Sequence, residues 1–220
     1  EIASCLVGSE MCIRDRYKTN GIQWAVWKME ESLDALLALL PDARRVFCEQ
    51  ELNRFVSERR KMEWLSVRVL LYAMLQEDKE IGYSPEGKPY LTDHSFFISI
   101  SHTKGYVAVM LASFTPAGID IEQYAQRVHK VSDRYIRSDE QTEPYQDDMT
   151  WGLLLHWSAK EAVFKRMENA DADLRKLRLT HFIPQEQGTF QVQELATEQQ
   201  ELYSVGYRIC PDFVLTWTLN

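Results

Sequence analysis

The stretch FFISISHTKGYVAVMLAS, residues 96–113, constrains the fold most. It reads as two strands joined by a turn around Thr103 to Gly105, an antiparallel pair. Upstream, IQWAVW (22–27) predicts another strand, followed by a helix through MEESLDALLALL that Pro41 closes. A stronger helix starts near Ser57, a suitable N-cap, with Met62, Leu65, Val69 and Tyr72 or Ala73 forming an apolar stripe. SPEGKPYL is a Pro/Gly turn leading into a short strand. FTPAG is the candidate linker, and GIDIE opens a second half with a helix from about Leu153 to Glu168 and strands within 180–193 and 201–219. Each half, 17–114 and 117–220, joins helix to antiparallel strands, so the expected class is α+β.

A length of 220 residues suits one large domain or two compact halves. The formal charge of -8 argues against a general nucleic-acid or anionic-membrane surface, so an anionic ligand needs a local basic pocket. No apolar run approaches the roughly 18 residues that suggest a membrane span. The four cysteines lack CxxC or His-Cys spacing, which points to a reducing cytoplasm rather than a disulfide frame or zinc site. Residues 1–16, EIASCLVGSEMCIRDR, resemble translated adapter sequence and are set aside as a non-native or disordered extension.

In GIDIE, strand alternation puts Asp120 and Glu122 on one face and Ile119 and Ile121 on the other. Adjacent like charges repel, so a positive group should face them. In WSAKEAVFK (157–165), Trp157, Glu161 and Lys165 recur at i, i+4 on one helix face. An isolated Glu–Lys pair ordinarily decorates a surface, and two acids at a strand end are ordinarily solvated. Together, Asp120, Glu122 and Glu161 offer the oxygen ligands that a hard cation such as Mg²⁺ takes alongside phosphate and water.

GIDIE, a polar interval and then WSAKEAVFK resemble the paired signature of 4′-phosphopantetheinyl transferases, especially the larger single-chain surfactin-synthetase-activating type. The likeness runs over most of 22–218. It implies two similar α+β halves related by a pseudo-twofold, with the active site at their junction. It also implies transfer of the phosphopantetheine arm of coenzyme A to a serine of an apo acyl or peptidyl carrier protein, releasing 3′,5′-ADP. By resemblance, Asp120, Glu122 and Glu161 hold Mg²⁺ against the pyrophosphate, Lys165 lies near the transferring phosphate, and Lys160 lies near the same anionic ligand. Glu161, or a water that it holds, is the candidate base.

The first half adds further matches. Ser101 and His102 in SISHT are expected at the 3′-phosphate, and Lys88 in the GKP turn near the adenine and its phosphates. Arg60 and Arg68 match 3′-phosphate positions and stand about 80° apart on a helix, so both can lean toward one pocket. For each of these the plain alternatives are a structural histidine, a simple turn and a solvated basic face, the last also covering Arg59 and Lys61. Gln123 departs from the charged residue that many relatives carry. The resulting expectation is a monomeric, cytoplasmic, Mg²⁺-dependent transferase, with no nucleic-acid or membrane partner. Its rival is a non-catalytic coenzyme A or carrier-binding module. A nucleotide hydrolase fits less well, because no P-loop is present.

Overall fold

A computed structural model describes residues 13–19, 21–167 and 173–219. The chain divides into two compact units, Glu1–Phe114 and Thr115–Asn220, and the division falls inside FTPAG. Both units mix helix with antiparallel sheet, which makes the class α+β.

The first unit contains β1 (Ile13–Thr19), β2 (Ile22–Lys28), α1 (Leu33–Ala38), α2 (Asp42–Leu52) and α3 (Glu58–Leu75). It continues with β3 (Ile81–Tyr83), β4 (Pro89–Leu91), β5 (Phe97–Thr103) and β6 (Tyr106–Ala112). Its main sheet has the order β1-β2-β6-β5, and β3 pairs with β4 across the Pro/Gly turn. Gly105 supplies the positive φ of the β5–β6 turn.

Ser57 caps α3 as expected, its side chain accepting from the Arg60 N–H. Leu65, Val69 and Leu70 of α3 pack with Trp27, Val107, Val109 and Leu111 of the sheet. Two expectations need correction here. Residues 1–12 lie outside the described residues, but Ile13–Arg16 belong to β1 and pair with β2, so the stretch set aside ended too late. Pro41 closes one helix as expected and also opens another. It stands at the N-cap of α2, whose Cys48 and Leu52 are buried one turn apart.

The second unit contains β7 (Ile119–Gln123), α4 (Met149–Arg166), β8 (Leu177–Leu179), β9 (Gln187–Glu194), β10 (Leu202–Ile209) and β11 (Phe213–Thr218). Sheet order is β7-β11-β10-β9-β8, so GIDIE forms an edge strand paired only with β11. Asp148 caps α4 by accepting from the Thr150 N–H, which starts the helix four residues before the expected Leu153. Leu154, Leu155, Ala159 and Val163 of α4 pack with Val192, Val205, Tyr207 and Val214 of the sheet. Each such buried aliphatic side chain contributes about 1.5–3 kcal/mol.

Candidate active site

Helix α4 approaches β7 at backbone distance because residue 118 has no side chain. A Cβ at Gly118 would overlap the Ala162 carbonyl oxygen, and at Gly152 it would overlap that of Glu143. Glycine is therefore required at both points. Opposite Asp120 in the ladder stands Thr216, whose hydroxyl lies 2.9 Å from Ser158 Oγ of α4. Asp120 and Glu122 thus share the sheet face that carries α4, while Ile119 and Ile121 are buried on the other face.

The positive group expected opposite these acids is Lys165. Its Nζ donates to Asp120 Oδ1 at 2.7 Å and to the Ile119 carbonyl at 3.1 Å. One turn and two turns earlier on the same helix face stand Glu161 and Trp157. The Trp157 indole N–H donates to Glu122 Oε1 at 2.9 Å, and its ring meets Tyr135 edge to face. Strand alternation predicted the shared face but not the burial of Asp120, which is only 3% exposed.

Burial raises the pKa of Glu122 to about 7, and the negative charge of Asp120 adds to the rise. Glu161 is raised by the same two causes in the same order, while Lys165 opposes both shifts. Glu122 and Glu161 therefore both feel the charge of Asp120 across β7 and α4, with Lys165 as counter-charge to both and Arg127 also offsetting Glu122. The donor set is all oxygen and crowded with negative charge, which suits a hard divalent cation. Even so, among the described residues no group of three or more His, Cys, Asp or Glu side chains is arranged to hold a metal ion. Asp120, Glu122 and Glu161 therefore do not stand as a pre-formed cage. Lys165 occupies one oxygen of Asp120 and Trp157 one of Glu122.

Lys160 also departs from expectation. One residue before Glu161, it points about 100° away around the helix and is fully buried. Its Nζ donates to the Tyr135 carbonyl at 2.6 Å and to Glu140 Oε2 at 2.7 Å. Burial lowers its pKa, and the Glu140 charge pushes back. Glu140 also accepts from the Arg137 N–H at 2.9 Å and the Leu179 N–H at 2.7 Å. Lys160 is a tether between α4, the 135–140 segment and, through Glu140, β8. Nothing in the sequence singled out Glu140, because its partners lie 20 and 39 residues away.

In the first unit, Arg60 NH1 lies 3.2 Å from Glu63 Oε2, and His102 Nδ1 lies 3.6 Å from Glu63 Oε1. Arg59 Nε donates to the same carboxylate at 2.7 Å. Arg68 does not join them. Its guanidinium lies 3.5 Å from the centre of the Trp64 ring and donates to the Trp64 carbonyl. Burial lowers its pKa, and neighbouring Tyr83 opposes the shift. Ser101 is paired with Ala108 and His102 with Val107, so alternation turns the two side chains to opposite sheet faces. Lys88 begins its role in the turn through its N–H, which donates to Ser84 Oγ. Glu63 escaped the sequence reading although it stands three and four residues after two arginines, a spacing that marks ion pairs on a helix.

No helix among the described residues is long and apolar enough to cross a membrane. No curated protein matches the chain significantly. Residues 116–218 match the family model of the 4′-phosphopantetheinyl transferase superfamily, which supports a general role in phosphopantetheine transfer.

Proposed function

Since residues 116–218 match the model of the 4′-phosphopantetheinyl transferase superfamily, we propose that the chain moves the 4′-phosphopantetheine arm of coenzyme A onto a serine of an apo acyl or peptidyl carrier protein. The observation that carries this reading is the β7–α4 cluster, where Lys165 contacts Asp120 while burial and the charge of Asp120 raise Glu122 and Glu161. In this reading the chain is the larger single-chain type, cytoplasmic and monomeric. Its first unit takes the adenine and 3′-phosphate through Arg60, Arg68, Lys88, Ser101 and His102, and its second holds the reacting groups and receives the carrier.

The serine oxygen attacks the phosphorus that bears the pantetheine arm, and the bond to the bridging oxygen breaks, releasing 3′,5′-ADP. Asp120, Glu122 and Glu161 would hold Mg²⁺, which when bound supplies positive charge against the pyrophosphate oxygens. Glu161 is the candidate acceptor of the serine proton, directly or through a water. The Lys165 ammonium neutralises charge as it gathers on the transferring phosphate, an effect that acts mainly in the transition state. Positioning and charge neutralisation supply most of the rate in such transfers.

The test is mass spectrometry of apo acyl and peptidyl carriers incubated with the full chain, coenzyme A and Mg²⁺. A mass gain of one phosphopantetheine on the carrier serine is expected, with loss of the gain on chelation. Coenzyme A binding without modification of any carrier would instead establish the non-catalytic module.

A further inference from the structure

Glu63 is a buried carboxylate whose own side chain is 4% exposed, yet its partners face solvent. Arg59 and Arg60 are 68% and 60% exposed, and His102, reaching in from β5, is 38% exposed. The three groups come from two elements, α3 and β5, and converge on one carboxylate: Arg59 pairs with Oε1 and Arg60 with Oε2, while His102 Nδ1 lies 3.6 Å from Oε1. Two guanidiniums against one carboxylate leave a surplus positive charge at the solvent side.

An exposed arginine has many rotamers, and ordering it on a ligand costs conformational entropy. A buried anion beneath it removes much of that freedom in advance. The guanidinium still presents its remaining N–H groups outward, because its five donors form a fixed fork that one carboxylate does not exhaust.

We infer that Glu63 is a positioning residue, a buried carboxylate that pre-orients Arg60, His102 and also Arg59 for the 3′-phosphate of coenzyme A. The inference rests on the proposed reading of Arg60 and His102 as 3′-phosphate contacts and adds the group that holds them in place. It gives Arg59 a part that a solvated basic face would not have. It also makes a counter-intuitive demand. By charge alone, a carboxylate beside a phosphate site repels the ligand, so neutralising it should tighten binding. By positioning, neutralising it should loosen binding.

Calorimetric titration of the full chain with coenzyme A and with dephospho-coenzyme A separates these alternatives. Glu63→Gln keeps the shape of the side chain while removing its charge. Glu63→Asp keeps the charge but withdraws it by one methylene. The parent is expected to prefer coenzyme A. Glu63→Gln should reduce that preference roughly tenfold, as expected if one or two arginine side chains must be ordered anew. Its affinity for dephospho-coenzyme A and its thermal midpoint should stay near those of the parent. Glu63→Asp should fall between the two. Glu63→Gln placed in an Arg60→Ala, His102→Ala background should change the preference little further. An unchanged or increased preference in Glu63→Gln, or in Glu63→Asp, overturns the positioning role and leaves the 3′-phosphate reading intact. A parent with no preference between the two ligands overturns that reading, and the positioning role with it.

Discussion

Replacing Glu140 by glutamine would leave the Lys160 ammonium inside the second unit without its counter-ion. Both side chains are fully buried, so water cannot rescue the charge. Removing one partner of such a pair costs about 3–5 kcal/mol. Glu140 also accepts from the Arg137 and Leu179 backbone N–H groups. The amide oxygen of glutamine can keep one of these contacts, so the loss should sit near the lower end of that range. Lys160→Met is the gentler change, because Glu140 keeps its two backbone donors. An expected loss of about 1–3 kcal/mol corresponds to one buried polar group less well satisfied. The double variant should be less destabilised than the sum of the singles, with a coupling of about 0.5–3 kcal/mol. Urea unfolding of the four proteins, read by tryptophan fluorescence, measures all of these quantities. If Lys160 instead touched an anionic ligand, Lys160→Met would weaken coenzyme A binding while leaving the unfolding midpoint unchanged. That outcome, or strict additivity of the two changes, would refute the tether.

Two further predictions follow from packing and titration in the same unit. Gly118→Ala sets a methyl group against the Ala162 carbonyl and forces α4 away from β7. A loss of about 1–3 kcal/mol is expected, with transfer falling further than stability, as denaturation and carrier-modification assays can check. His156 is buried, its Nδ1–H donates to the Gly152 carbonyl, and its ring stacks on Phe182. Burial lowers its pKa from the ordinary 6.5, so below that pH the unfolded chain binds a proton that the folded chain refuses. Stability contributed by neutral His156 is complete above about pH 6.5 and is lost as pH falls from there toward the depressed folded value. His156→Phe should flatten the stability profile in that acid window. An unchanged slope would remove His156 from the acid response.

Much of the secondary structure was legible because the local rules agreed with the tertiary ones. Ser57 was readable as a cap and the α3 stripe as a buried face, since both depend on residues within a turn or two. Pro41 was read only as a stop, although the same residue also suits the start of a helix, and α2 was missed for that reason. At the candidate site, period two correctly put Asp120 and Glu122 on one face, and period 3.6 put Trp157, Glu161 and Lys165 on another. The meeting of those faces depends on Gly118, whose role is visible only once the helix lies against it. Lys160 illustrates the opposite case. Family resemblance put Lys160 near the same anionic ligand as Lys165, whereas helix geometry turns its side chain about 100° from that of Glu161. Its true partner, Glu140, sits in an irregular segment where no periodicity applies. Arg60 and Arg68 were close enough in angle to share a pocket, but stacking on Trp64 takes Arg68 elsewhere. The Lys160–Glu140 pair leaves no local pattern to read, whereas Trp64 and Arg68 are an i, i+4 pair that the helix period could have shown.

The Asp120–Lys165 face of β7 and α4 is the proposed seat of phosphopantetheine transfer. Single-turnover transfer to an apo carrier by Lys165→Gln, with coenzyme A affinity and the unfolding midpoint measured on the same sample, tests it most directly. Glutamine can still donate to Asp120, so the face should hold together while its positive charge is lost. A transfer rate reduced about a hundredfold, equivalent to about 2.7 kcal/mol in the barrier, is predicted, with coenzyme A affinity within about threefold of the parent. A transfer rate within about threefold of the parent would contradict the claim and leave Lys165 as a plain structural partner of Asp120.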